Sequence, residues 1–283
     1  MSQIGDFFDL WSPVVLLVVV VIGYLYGRFV VKGNGSSTDR EPISLAQQCS
    51  FYAGLVLFYI GQGSPINYIG HHYLFSMHML QQTLLYLVVP ILIWVGTPGW
   101  LLLACMRNKA FRGIFSFFTR PLIALFMFNM LFSIYHMPFI MDYLMKNDVW
   151  LLAYHAVLLF SAFMMWFPVF CPAPELARLS DLMKMAYIFG NGVLLTPACA
   201  LIIFADTIIY DMYDNVTVPF AHLSPLDDQQ LGGVIMKILQ EIIYGSTLAF
   251  IFFRWYRRER RDEDDLNPVE APDNPQGGNL NRA

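Results

Sequence analysis

Long apolar runs separated by short polar segments extend along nearly the whole chain. An α-helix needs about 20 apolar residues to cross a hydrocarbon core about 30 Å thick. Seven runs come close to that length, and the polar segments between them are too short to form domains of their own. The pattern predicts transmembrane helices over residues 13–31, 45–60, 74–95, 122–137, 150–170, 185–209 and 234–253.

The composition agrees with a membrane protein. Hydrophobic residues make up 57% of the 283 positions and charged residues 13%, whereas soluble domains carry about 25% charged residues. We therefore expect an all-α, polytopic bundle of seven transmembrane helices within a single domain, residues 1–258. The segment 259–283 is rich in Asp, Asn, Pro and Gly, and we expect it to be a disordered cytoplasmic tail.

The basic residues indicate the orientation of the bundle. Fifteen of the 17 Lys and Arg residues follow the first, third, fifth or seventh predicted helix, whereas Lys146 is the one basic residue in the other connections. Cytoplasmic loops retain Lys and Arg. The N-terminus is thus predicted outside and the C-terminus in the cytoplasm.

Several function classes lack support in the sequence. The glycine-rich signatures of nucleotide binding and of serine hydrolases do not occur. The four cysteines have no C-x-x-C spacing. The arginines after Phe253 flank a membrane helix and carry no pattern of nucleic-acid binding. With no nucleophile, base or acid pair apparent, we expect a protein that is not an enzyme.

The histidines are concentrated on the predicted outer half of the bundle. His71 and His72 lie just before the third helix, and His78 lies about one turn into it. His136 is at the end of the fourth helix, His155 is about one turn into the fifth, and His222 is in the last outer loop. An unpartnered polar group in hydrocarbon costs several kcal/mol. We therefore expect the histidines on the helices to meet one another.

Their chemistry points to a soft metal ion. His78 and Gln82 are four residues apart and share a helix face, and Met79 lies beside them. Imidazole and thioether groups together favour copper. The candidate copper ligands are His78, His136 and His155, supported by Met79, with His71 and His72 as weaker candidates. Hydrogen bonding between helices, packing of methionine and solvated loop positions are the alternatives for these residues.

Other polar residues within the predicted helices, and three prolines, have structural interpretations. Lys237 and Glu241 are four apart in the last helix, which predicts an ion pair or, alternatively, a proton or partner contact. Asn129 and Asn191 are predicted to hydrogen-bond between helices. Three prolines fall within predicted helices and should kink them: Pro90, Pro168 and Pro197.

Several segments resemble the CtaG family, whose members are bacterial multi-pass assembly factors for caa3-type, haem–copper cytochrome c oxidase. The similar segments are residues 73–82 (YLFSMHMLQQ), Pro90, 96–98 (GTP), 136–138 (HMP), 166–172 (WFPVFCP) and 228–236 (DQQLGGVIM). Many relatives carry a second histidine where this chain has Gln82. An amide oxygen is a poorer copper ligand than imidazole, so a site needing that position would be weaker or built differently here.

The resemblance implies a role in making an active oxidase, with copper as cofactor or cargo. It also implies a bacterial plasma membrane location and, as partners, the oxidase subunits, the lipid bilayer and an extracytoplasmic copper chaperone. Three alternatives stay open: a bis-histidine haem protein, a copper-uptake permease, and a scaffold that contacts the oxidase without metal. A permease would need ligands continuing to the cytoplasmic half, where the sequence has no histidine.

Overall fold

The computed structural model describes residues 6–31, 42–214, 216 and 223–266, the last five as backbone only. These residues fold into helices joined by turns, without a β-strand in the described ranges. The prediction of an all-α protein is confirmed at this level.

Seven long helices form the bundle: α1 (Pro13–Val31), α2 (Leu45–Gly63), α3 (Phe75–Gly96), α4 (Pro121–Tyr135), α5 (Asp148–Trp166), α6 (Asp181–Ile203) and α7 (Pro225–Leu266). A short helix, Phe7–Leu10, precedes α1. The short helices between the long ones are Pro65–His72, Gly99–Cys105, Lys109–Phe118, Pro138–Met145, Asp211–Asp214 and the 3-10 turn Pro174–Leu176. The last six residues of α1 and Leu84–Val88 of α3 have π-helical hydrogen bonding.

Five helices of the described residues are long and apolar enough to cross a membrane: α1, α3, α5, α6 and α7. A sixth crossing results if Lys109–Phe118 and α4 count as one span, bent by 68°. Helix α2 forms near its predicted position but is less apolar, since it includes Gln47, Gln48 and Gln62. The count of seven crossings and the orientation remain predictions.

Helix ends differ from the sequence prediction where side chains cap them. Asn147 accepts the backbone N–H groups of Val149 and Trp150, so α5 begins before the apolar run. Ser180 accepts from Met183 in the same way at the start of α6.

The far end of α6 and the end of α5 also differ. Helix α6 stops at Ile203 because Gln229 and Gln230 of α7 hydrogen-bond the backbone of the next residues in a non-helical conformation. Helix α5 ends at Trp166, so Pro168 lies in the following turn, and its predicted place inside a helix is wrong.

The other two prolines are inside helices as predicted. Pro197 is in α6. Pro90 follows the π-helical turn of α3, where the altered hydrogen-bond pattern accommodates its missing N–H. Helix α7 continues to Leu266, beyond the predicted start of the tail at residue 259; residues 267–283 lie outside the described part of the chain.

The polar contacts predicted between and along helices are present. The side-chain amide of Asn129 donates to Asn191 at 2.9 Å, which joins α4 to α6. Lys237 pairs with Glu241 at 2.6 Å and also donates to Thr196 of α6. The Lys237 pair therefore links α7 to its neighbour.

The helices alternate in direction, which gives the bundle two chemically different ends. Helices α1, α3, α5 and α7 begin at one end, where Asp9, His71 and Asp148 border the same cavity. We call this the histidine end. At the opposite end, which we call the arginine end, Arg254 pairs with Asp181 and Arg178 donates to the backbone of Ser116.

Candidate functional site

The position of His78 is set by a cap from a distant part of the chain. Leu74 precedes α3 and offers no capping side chain. Instead Asp228 of α7, which is buried, accepts the backbone N–H of Phe75 at 2.6 Å and the hydroxyl of Ser76. A carboxylate at a helix N-terminus also interacts favourably with the helix dipole. Helix α7 thereby fixes the turn that carries His78.

One buried hydroxyl connects two of the predicted histidines. The Tyr135 hydroxyl, from the last residue of α4, is 3.1 Å from Nε2 of His78 on α3 and 3.1 Å from Nε2 of His155 on α5. A hydroxyl oxygen has two lone pairs and can accept from the Nε2–H groups of both rings. Tyr135 therefore holds α3, α4 and α5 together at the histidine end.

A third imidazole completes the group. His71, on the helix Pro65–His72, has Nδ1 at 2.8 Å from the carbonyl of Asn67. Its ring centroid is 5.2 Å from that of His78 and 5.8 Å from that of His155, and the latter two are 6.1 Å apart. We call His71, His78 and His155 the histidine triad. Burial lowers the pKa of His71, which favours the neutral ring that a metal ion requires.

The triad borders a cavity that opens at the histidine end. It has a volume of about 500 Å³ and is lined by His71, His72 and His155. Carboxylates and thioethers also line it, namely Asp9, Asp148, Met145 and Met212. His78 lies behind this wall and is fully buried.

The other candidate residues are outside the triad. His136 is buried at the C-terminal cap of α4, with Nδ1 at 2.8 Å from the Phe132 carbonyl and its ring against that of Tyr135. His72 is exposed and stacks on Tyr68. Met79 packs close to Gly232 of α7. His222 lies outside the described residues.

The triad does not have a metal-binding geometry in this structure. Within the described ranges, no group of three or more His, Cys, Asp or Glu side chains is arranged to hold a metal ion. Buried polar atoms without a hydrogen-bond partner in this region include Nδ1 of His78, Oε1 of Gln82, Oε1 of Gln81 and Nε2 of His136. Nε2 of His78 and Nε2 of Gln82 are 2.7 Å apart.

Sequence reasoning missed Tyr135, Asp148 and Asp228. Tyr135 follows Phe128 and Phe132 at helical spacing on the buried face of α4, a signal that could have placed it in the core beside His136. Asp148 directly follows Asn147, which caps α5, and acidic residues are favoured in the first turn of a helix. An asparagine followed by an aspartate could therefore have indicated this helix start. The contact of Asp228 with Phe75 has no local signal.

The fold and the site define a polytopic helical membrane protein with a buried histidine cluster at one end. A family model described as cytochrome c oxidase caa3 assembly factor (Caa3_CtaG) matches residues 22–258. The match covers most of the chain, which therefore belongs to this family, and the resemblance noted in the sequence is confirmed. No curated protein and no solved structure matches the chain. Membership indicates a membrane setting and oxidase-related partners.

Proposed function

We propose that this assembly factor binds copper transiently at the histidine triad and passes it on during maturation of the oxidase. The observation that carries the proposal is the meeting of three imidazoles from three separate elements, with ring centroids 5.2, 5.8 and 6.1 Å apart. Imidazole nitrogens bind metal ions at about 2 Å, so three rings around one ion have centroids roughly 5–6 Å apart. Small ring rotations would therefore suffice.

The unpartnered atoms of His78 and Gln82 support this interpretation. If the Gln82 amide turns over, its Oε1 faces Nε2 of His78 and accepts a hydrogen bond from the Nε2–H group. The lone pair of His78 is then on Nδ1, which has no other partner. Gln82 would thus act by setting the tautomer of His78 rather than as a ligand, a role that a second-shell group plays at many metal sites.

The cavity supplies a route for the ion. Asp9 and Asp148 at its wall attract a cation, and the thioethers of Met145 and Met212 are soft donors for Cu(I). His71 has Nδ1 occupied by the Asn67 carbonyl, so Nε2 is its free nitrogen. We propose that copper enters here from an extracytoplasmic donor, at the outer face of the bacterial plasma membrane, and leaves to an oxidase subunit.

The proposal involves no catalysis by the chain. The triad has the donors for holding and releasing a soft ion, and the nearby hydroxyl of Tyr135 hydrogen-bonds two imidazoles. The role of Tyr135 would be to keep the two imidazole rings oriented between loading and release of the ion.

The test is copper content and optical absorption of the detergent-purified protein after loading with Cu(I) under reducing conditions. We expect a stoichiometric amount of copper in the wild type and in His72→Ala, whose ring is exposed, and loss of copper in His78→Ala. Copper in none of the three would favour a metal-free scaffold. A Soret band in the wild type that His78→Ala removes would favour haem.

A further inference from the structure

A second polar cavity lies at the arginine end, far from the histidine triad. Its volume is about 260 Å³, and it is bordered by α2, α3, α6, α7 and the turn after α5. Lys184 and Arg254 line it together with polar Gln47, Thr97 and Cys171. Apolar side chains complete the wall, among them Trp94, Val95 and Phe250.

The cavity has an excess of positive charge. Asp181, whose side chain is only 7% exposed, pairs with Arg254 at 2.6 Å and with Arg258 at 3.2 Å. Lys184 is 8% exposed, and no hydrogen bond or ion pair from the described part of the chain reaches its ammonium group. One carboxylate thus faces three cations.

Two further charges at the edge of the cavity do not correct this imbalance. Glu175 and Arg178 both act on Cys171 at the edge of the cavity, and their charges are opposite. Asp181 also acts on Lys184, but it is already paired with Arg254 and Arg258, so the charge of this buried ammonium group is only partly balanced, which is costly. A ligand that brings a negative charge to Lys184 would remove that cost.

The apolar part of the wall indicates what kind of anion fits. Val95 is 42% exposed and Phe250 is 56% exposed, and both belong to membrane-crossing helices. They give the cavity an open, apolar side toward the bilayer. The ligand is therefore expected to have an anionic head and apolar chains.

We propose that this cavity binds an anionic phospholipid, with its phosphate group at Lys184 and Arg254 and its acyl chains along Val95 and Phe250. Basic pockets between transmembrane helices are suited to such headgroups. The site joins α7 to the turn after α5, so a bound lipid would stabilise the arginine end of the bundle. It does not depend on the copper proposal, because the two sites share no residue.

The experiment measures lipid binding to the purified full-length chain by native mass spectrometry and by thermal unfolding in detergent. The probes are phosphatidylglycerol, phosphatidylcholine and inorganic phosphate. Wild type and Lys184→Arg should bind phosphatidylglycerol and be stabilised by it, with little response to phosphatidylcholine. Lys184→Gln should weaken binding roughly tenfold, the effect of losing one charge-assisted hydrogen bond.

The matched control is Lys109→Gln, which removes one exposed lysine at the same end of the bundle. Equal losses in both variants would mean general electrostatic attraction and would overturn the proposal. So would an unchanged affinity in Lys184→Gln. Full stabilisation by inorganic phosphate alone would assign the cavity to a free anion instead of a lipid. If Lys184→Gln does not fold, Arg254→Gln beside Arg257→Gln provides the same comparison.

Discussion

The carboxylate of Asp228 lies 2.6 Å from the backbone nitrogen of Phe75, 153 positions earlier in the chain. The same carboxylate accepts the Ser76 hydroxyl, so one buried side chain of α7 satisfies the first turn of α3. His78 follows two residues after Ser76, at the end of that first turn. The cap therefore connects the stability of the α3–α7 contact to the position of the candidate site.

Replacing this carboxylate tests the connection. Asp228→Asn keeps the shape of the side chain but loses the charge. Its amide nitrogen is a donor and cannot accept from the Phe75 N–H or the Ser76 hydroxyl. We expect a loss of about 1–3 kcal/mol in the free energy of unfolding, seen as a lower unfolding temperature in detergent. Asp227→Asn is the control, because Asp227 is exposed and accepts from Ser224. Equal stability of the two variants would contradict the capping role.

The Tyr135 hydroxyl is predicted to orient two rings of the triad. Tyr135→Phe removes its contacts with His78 and His155 and leaves the ring packing in place. Loss of a hydrogen bond to a metal-binding histidine commonly weakens metal affinity 10- to 100-fold, and we expect a loss of roughly tenfold in Cu(I) affinity, measured by competition with a chelator.

The control for this change is Tyr154→Phe. The Tyr154 hydroxyl donates to the Leu131 carbonyl in the same region, outside the triad. If both variants lose copper to the same extent, the effect comes from general destabilisation and not from ring orientation.

The sequence predicts where the helices lie and which of them carry the histidines, but not how each helix is rotated about its axis. Apolar run length placed the helices, and the depth of His78 and His155 on α3 and α5 brought them to one level. Ring contacts then depend on rotation about each helix axis, and helices that are apolar on most faces carry little information about it. For that reason Tyr135 was overlooked in favour of its neighbour His136.

Helix ends depend on partners that are remote in sequence. The apolar run after Ile203 favours continuation of α6, yet Gln229 of α7 bonds the Ile209 backbone in another conformation. The cap of α3 by Asp228 is of the same kind. Neither contact leaves a local pattern that a reading of the sequence could detect.

Asp142 is expected to give a pH-dependent contribution to stability. It lies on the short helix Pro138–Met145, and burial is the main reason why its pKa is raised. The charge of Asp211 also raises the pKa, whereas the backbone N–H of Asp211 donates to the carboxylate and lowers it. The folded state then binds more protons than the unfolded state from the ordinary value near 3.8 up to the raised pKa. The free energy of unfolding should fall as the pH rises through this window.

Asp142→Asn should therefore raise the unfolding temperature at neutral pH, and the gain should disappear in acid below the ordinary aspartate pKa. The comparison is a pH series of thermal unfolding against Asp206→Asn, an exposed aspartate near the same end. A gain from Asp142→Asn that is independent of pH would argue against an effect of its ionisation.

Gln82 provides the most direct test of how the residues around the triad influence copper binding. Its amide is 2.7 Å from Nε2 of His78, within reach of that ring and deep inside the bundle. Gln82→His would add an imidazole next to the triad, and since imidazole is a better copper ligand than an amide, we expect slower loss of Cu(I) to a competing chelator. Gln82→Leu should have the opposite effect, because the Tyr135 hydroxyl can then donate to Nε2 of His78 and leave the proton on Nδ1.

Gln48→His is the control, since Gln48 lies at the start of α2, at the arginine end, where its amide donates to the Ile43 carbonyl. If Gln48→His retains copper as well as Gln82→His does, position 82 has no special relation to the metal. If Gln82→Leu binds copper like the wild type, the proposed role of Gln82 in setting the His78 tautomer is wrong.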